Sequence, residues 1–228
     1  ALFNKLAGSC GLEGGTTTGV IGVRSSAPAA WMARNKKGKA PICNVDPKWK
    51  VNAGVYGTLA KGENPYVQIG RGAEFQFCRA ETSPLGAVFK DGYYSPRLLV
   101  LFFLGNATDR WADSPDAALA DLRAVMRDLP KGQPCLFMTT APPYGAKVVA
   151  QRQKAQDNIA RAFASGASHC SFVPGFTPAT IAENQGNAAN FRRKSSGRVK
   201  DPFHPTEAGA TRFLALRRAA ICEAIAKQ

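Results

Sequence analysis

Asp201-Pro202-Phe203-His204-Pro205-Thr206 sets the chemistry open to this chain. His204 is one of two histidines among 228 residues, and an acid sits three positions before it. An imidazole exchanges protons near neutral pH. A carboxylate against one ring nitrogen fixes its tautomer, so Asp-x-x-His is the base half of a nucleophilic site. A second pair lies far upstream, where Gly105-Asn106 closes the apolar run that begins at Leu98. An Asn amide there can donate to a developing oxyanion, and the Gly lets a substrate approach the backbone. Either pair alone is ordinary: Gly-Asn is a common turn, and Asp-x-x-His a common surface pairing. They become a site only where the fold brings them together.

The elements that must position them alternate. Leu98–Leu104 is apolar at every residue, which predicts a strand buried on both faces of a parallel sheet. Ser114-Pro115-Asp116 is a helix start, and Ala118, Leu119, Leu122, Val125, Met126 and Leu129 give the amphipathic stripe that follows, stopped by Pro130 and Gly132. Cys135–Thr140 reads as the next buried strand, 146–164 as a helix, Ser171–Val173 as a short strand, 177–200 as a basic loop, and Thr206–Ala226 as a helix capped by Thr206. Upstream, residues 2–7 begin as if within a helix. Thr16–Val23 reads as a buried strand of the same sheet, emptying into a turn at Arg24–Pro28. Residues 34–80 are irregular, with strand-like pieces at Val51–Tyr56 and Tyr66–Ile69, and a short helix starts at Ser83-Pro84. This order predicts an α/β protein: a three-layer α/β/α sandwich on a mostly parallel sheet, one domain over 1–228 with an irregular insertion at about 34–80. Ligands of such sheets bind at the carboxyl ends of the strands, which selects the loops Arg24–Pro28, Gly105–Asp109 and Ala141–Tyr144.

Composition narrows the setting. Hydrophobic residues make up 45% and charged residues 20%, as in globular domains, and the longest apolar run is too short to span a bilayer. The 30 Lys and Arg against 16 Asp and Glu leave a net charge of +14, which favours an anionic partner. The cations cluster at Arg34–Lys39, Lys48–Lys50 and Arg192–Lys200. No nucleic-acid module or phosphate loop accompanies them, so nucleic acid is not the expected partner. Six Cys without Cys-x-x-Cys spacing, beside two His, argue against a zinc site and are compatible with disulfides in an oxidising compartment. Cys43–Cys78 is one expected bridge, whereas Cys135 could equally be a core thiol. His169, beside Cys170 and without a matching acid, reads as structural.

With Gly105-Asn106 and Asp201-x-x-His204 in this order, most of the chain outside 34–80 resembles the SGNH hydrolase family. Leu104-Gly105-Asn106-Ala107-Thr108-Asp109 is similar to its third block, one residue shorter than the usual Gly-x-Asn-Asp, and Asp201-Pro-Phe-His204 to its fifth. The resemblance implies an α/β/α sandwich and the activity of an esterase, lipase or carbohydrate deacetylase. It implies His204 as general base, Asp201 as its orienter and Asn106 as an oxyanion donor, with a backbone N–H near Ser25 as a second donor. The family's nucleophilic Ser ends its first strand, so here it is expected just before Ala1; Ser9, at a helix end, is a poor substitute.

Gly105, Ser26, Trp31, Trp111 and Tyr144 are candidate substrate contacts from their places in or beside the site loops, although core or rim packing is the commoner use of a Trp in such places. The expected function is a secreted or periplasmic serine esterase acting on an acylated glycan or another ester, preferably anionic, with O-acetyl groups among the candidates. No metal or cofactor is implied, and the oligomeric state is left open. The alternative is a non-catalytic binding protein on the same scaffold that recognises an anionic glycan or surface partner.

Overall fold

The structure, a computed structural model, describes residues 10, 18–23, 26–34, 51–56, 66–68, 80–90 and 96–228. The chain divides into two compact units, Ala1–Arg97 with Ala124–Gln133, and Leu98–Arg123 with Pro134–Gln228.

The first unit holds β1 (Thr18–Val23), α1 (Pro28–Met32), β2 (Val51–Tyr56), β3 (Tyr66–Gln68) and α2 (Pro84–Phe89). Its sheet is antiparallel in the order β1-β2-β3, with Thr18 opposite Tyr56 and Val23 opposite Val51. The strand expected near Thr16–Val23 therefore forms, but not within the parallel sheet. A β-branched, Gly-punctuated run specifies extended backbone and leaves its partner open. The partners are the two strand-like pieces of the region read as an insertion. Helix α2 starts where Ser83 Oγ accepts the Gly86 N–H at 2.9 Å and Pro84 takes the first helical position. It packs against α1, with Trp31, Met32, Leu85 and Val88 buried.

The second unit contains β4 (Leu99–Phe102), a 3-10 turn (Gly105–Ala107), α3 (Thr108–Asp113), the start of α4 (Pro115–Asp128), β5 (Cys135–Met138), α5 (Ala146–Ala164), β6 (Ser171–Val173), α6 (Pro178–Asn184), a second 3-10 turn (Ala188–Asn190) and α7 (Glu207–Ala226). The sheet is parallel in the order β4-β5-β6, with Leu99 opposite Cys135 and Met138 opposite Val173. The molecule is thus mixed α/β. Central β5 is buried at every residue, as its sequence predicts. In β4 only Leu101 is fully buried, and Phe102 is 49% exposed. Complete burial was expected of both; β4 departs from it because, among the described residues, it is an edge strand with one hydrogen-bonded neighbour. Phe137 centres an aromatic cluster with Phe103, Trp111, Phe163 and Phe172, all with ring centroids within 6.4 Å of its own. Burial of a side chain that size contributes roughly 2–3 kcal/mol.

Cys135 and Cys170 form a disulfide at the amino ends of β5 and β6, so Cys135 is a bridge and not the core thiol that its strand position equally allowed. Cys10 and Cys222 are disulfide-bonded as well. The bridge expected between Cys43 and Cys78 lies outside the described residues. Beside these amino ends the Gln228 side chain accepts the Cys135 N–H at 2.7 Å and donates to Ser171 Oγ at 2.8 Å. Disulfides fit an oxidising compartment. No helix among the described residues is long and apolar enough to cross a membrane.

Candidate active site

The Asp201–Thr206 segment folds on its own carboxylate. Asp201 Oδ1 accepts the backbone N–H groups of Phe203 at 3.0 Å and His204 at 3.1 Å, while Oδ2 lies 2.9 Å from His204 Nδ1. One acid thus shapes the turn with one oxygen and orients the ring with the other, placing the Nδ1 proton toward itself. Burial is the largest single influence on Asp201 and pushes its carboxyl up. The Phe203 N–H, the His204 ring and the His204 N–H together outweigh it and hold the carboxyl below its ordinary range. The His204 side chain is 83% exposed. Among the described residues no hydroxyl or thiol bonds its Nε2.

The backbone around this loop is fixed from three sides. Tyr144 N–H donates to the Pro202 carbonyl at 2.8 Å, Phe191 pairs with Pro205, and Thr206 N–H donates to the Asn190 carbonyl at 2.8 Å. Thr206 then caps α7, its hydroxyl accepting the Gly209 N–H at 3.2 Å. Asn190 is fully buried and saturated: its amide donates to Glu183 and Asn184, and its oxygen accepts from Arg212. A Cβ on Gly209 would meet the Asn190 carbonyl at 2.6 Å, so only glycine lets α7 start this close.

The Gly105–Ala107 turn is held as firmly. Thr108 Oγ donates to the Gly105 carbonyl at 2.8 Å, Gln151 donates to Asp109 at 2.7 Å, and buried Asn158 donates to the Trp111 carbonyl at 2.6 Å, which ties α3 to α5. Asn106 is exposed in this turn. What joins the turn to the base loop is a residue that sequence reasoning missed. Arg152 of α5 is 9% exposed. Its guanidinium carbon lies 5.4 Å from the centre of the Phe203 ring, and its Nη2 lies 3.4 Å from where a Gly105 Cβ would be. Gly105 and Phe203, each next to a predicted catalytic residue, therefore flank one side chain at the carboxyl edge of the sheet. The sequence did carry a sign of this: Val149, Arg152, Gln156 and Ile159 fall on one helical face, so a cation occupies a position in the buried stripe.

Other expected contacts fare differently. Tyr144 is at the edge, its backbone bound to the base loop and its ring edge-on to Phe191 at 5.8 Å. Trp111 is a core residue, 1% exposed, with its indole N–H donating to Asp121 at 2.9 Å; the aromatic cluster around Phe137 outcompetes a place on the rim. Trp31 and Ser26 belong to the first unit, where the buried indole donates to Ser26 Oγ at 3.0 Å. Their loop does not follow a strand of the parallel sheet, because β1 pairs antiparallel elsewhere. Ser25 lies outside the described residues. Cys135, His169 and Cys170 gather three potential metal-ligand atoms, but the disulfide consumes both sulfurs.

No family model, curated protein or solved structure matches the chain.

Proposed function

We propose that the protein is a serine esterase of the SGNH type, on a three-layer α/β/α sandwich, that hydrolyses an ester on a glycan or a small acylated substrate. The observation that carries this is the 2.9 Å Asp201–His204 contact, on a loop with fixed backbone and an exposed ring, linked through Arg152 to the turn that bears Asn106. In the reaction a serine Oγ attacks the ester carbonyl and its proton passes to His204 Nε2. Asp201 steadies the imidazolium through Nδ1, and the Asn106 amide donates to the oxyanion. The alcohol leaves with the proton from Nε2. Water, deprotonated by the same nitrogen, then frees the acyl group as the acid.

The direct check is hydrolysis of p-nitrophenyl acetate by the full-length gene product. His204→Ala and Asp201→Asn are expected to lower kcat by roughly 10³-fold or more. Unchanged rates in both variants would remove the dyad from the mechanism. A second reading, a non-catalytic binder of an anionic glycan, is favoured by the exposed cations Arg192, Arg193, Lys194, Arg198 and Lys200 just ahead of the base loop. It expects no turnover by the full-length protein and glycan binding that survives His204→Ala.

A further inference from the structure

Arg152 stands out among the buried polar groups of the second unit. Its side chain makes no hydrogen bond or ion pair among the described residues, and its Nε is sealed without a partner. An unpaired buried guanidinium is rare because its charge has lost water and gained no anion in return. Burial pulls the Arg152 pKa down, yet arginine stays charged in proteins. Its guanidinium lies against the apolar ring of Phe203 and beside Gly105, and neither can neutralise it. Thr140, which follows β5 at the same sheet edge, has its Oγ buried without a partner as well.

The segment that enters the base loop adds a second, independent observation that points to an anion. Residues 192–200 form a tight hairpin, with Arg193 paired to Val199, Lys194 N–H accepted by the Arg198 carbonyl at 2.8 Å and a turn closed at Gly197, which has φ of 80°. Arg192, Arg193, Lys194, Arg198 and Lys200 are all exposed on it and, among the described residues, none has an acidic partner. The hairpin runs directly into Asp201. Exposed cations on the segment that enters the base loop raise the local concentration of anions there, and a buried cation can fix one.

We propose that Arg152 is the docking residue for an oxyanion, a carboxylate or phosphate group carried by the ligand whose reacting ester lies at His204. One face of the guanidinium rests near the Phe203 ring, so its edge is left to form the forked, two-bond contact that planar anions favour. This specificity rests on the esterase reading above; the anion site itself does not.

Two measurements on the full-length protein separate the two. The first follows thermal unfolding with inorganic phosphate and, separately, with acetate, at constant ionic strength. At least one anion raises the midpoint of the unsubstituted protein and of His204→Ala, but not of Arg152→Gln, because a ligand that binds only the native state stabilises it by mass action. Equal shifts in all three proteins, or none, would overturn the anion site, and the two salts tell phosphate from carboxylate preference. The second compares kcat/KM for 4-acetoxybenzoate with that for phenyl acetate. Arg152→Gln lowers this ratio by roughly tenfold or more, mainly through KM, as expected for a lost charge-assisted contact, and Arg152→Lys recovers part of it. An unaltered ratio would remove Arg152 from substrate selection. Absence of turnover with both esters, alongside an Arg152-dependent thermal shift, would refute the esterase and keep the anion site.

Discussion

Two regions of the same sheet edge solve the same problem differently. On the β6 side, Gln156 of α5 lies buried, its oxygen accepting from Thr139 Oγ at 2.5 Å and Phe176 N–H at 2.8 Å, its amide donating to the Phe176 carbonyl at 2.8 Å. Thr139 Oγ accepts the Gly175 N–H in turn. Every polar side-chain atom of Gln156 and Thr139 ends on another. On the β4 side, one helical turn earlier, Arg152 is also buried and has no hydrogen-bonding partner among the described residues. Where polar groups satisfy each other, the protein is finished and the edge is closed. Where a charge is enclosed and unsatisfied, the edge suits the anion proposed above.

This contrast can be broken most forcefully by exchanging each side chain for an apolar one. Gln156→Leu strands the Phe176 N–H and carbonyl in the interior and should destabilise by about 3 kcal/mol. Arg152→Met removes an uncompensated charge and should be neutral or raise stability by about 1 kcal/mol in anion-free buffer. Urea denaturation of both variants checks the pair, and equal losses would mean that Arg152 is also a structural member of the edge. The glycines offer a finer comparison. A Cβ on Gly175 would come within 2.3 Å of the Thr139 carbonyl, whereas one on Gly105 meets nothing closer than 3.4 Å. Gly175→Ala should therefore cost about 2 kcal/mol and Gly105→Ala less than about 1, again by denaturant midpoint.

The smallest effect concerns pH. Asp201 has its carboxyl lowered in the folded state, so its stabilisation of the base loop is complete above the ordinary Asp range and is lost as pH falls through the lower folded value. Amide exchange or NMR shifts at Phe203 and His204 should report that loosening only in acid. A loss that began above pH 5 would mean that Asp201 is not what holds the turn.

Much of the second unit was legible in the sequence, and the reasons are local. The Thr206 cap, the helix over 146–164 and the strand Ser171–Val173 lie where periodicity and capping residues put them. The Asp201–His204 pairing was readable because three residues in a turn bring the side chains within reach whatever the tertiary surroundings. Strand pairing was not readable. Thr18–Val23 carries the same apolar, β-branched signal whichever strand lies beside it, so its antiparallel partners could not be told from a parallel set. Trp111 escaped for a related reason: its position beside a site loop is a matter of sequence, while its burial depends on Phe137, which arrives 26 residues later. Arg152 was hidden among other helix cations, although its place in the Val149–Ile159 stripe set it apart.

The bridge between Cys135 and Cys170 joins neighbouring strands just ahead of the pair Leu136 and Ser171. A one-residue slip between β5 and β6 would turn Phe137 out of the core, and the covalent tie makes that slip unreachable. The constraint persists when the chain is unfolded but oxidised. Residue 135 stays beside residue 170, the 35-residue separation between them is already closed, and the middle of the sheet keeps a record of its own alignment. In the oxidised molecule, then, the strands that carry the candidate site's floor do not have to search for each other after damage.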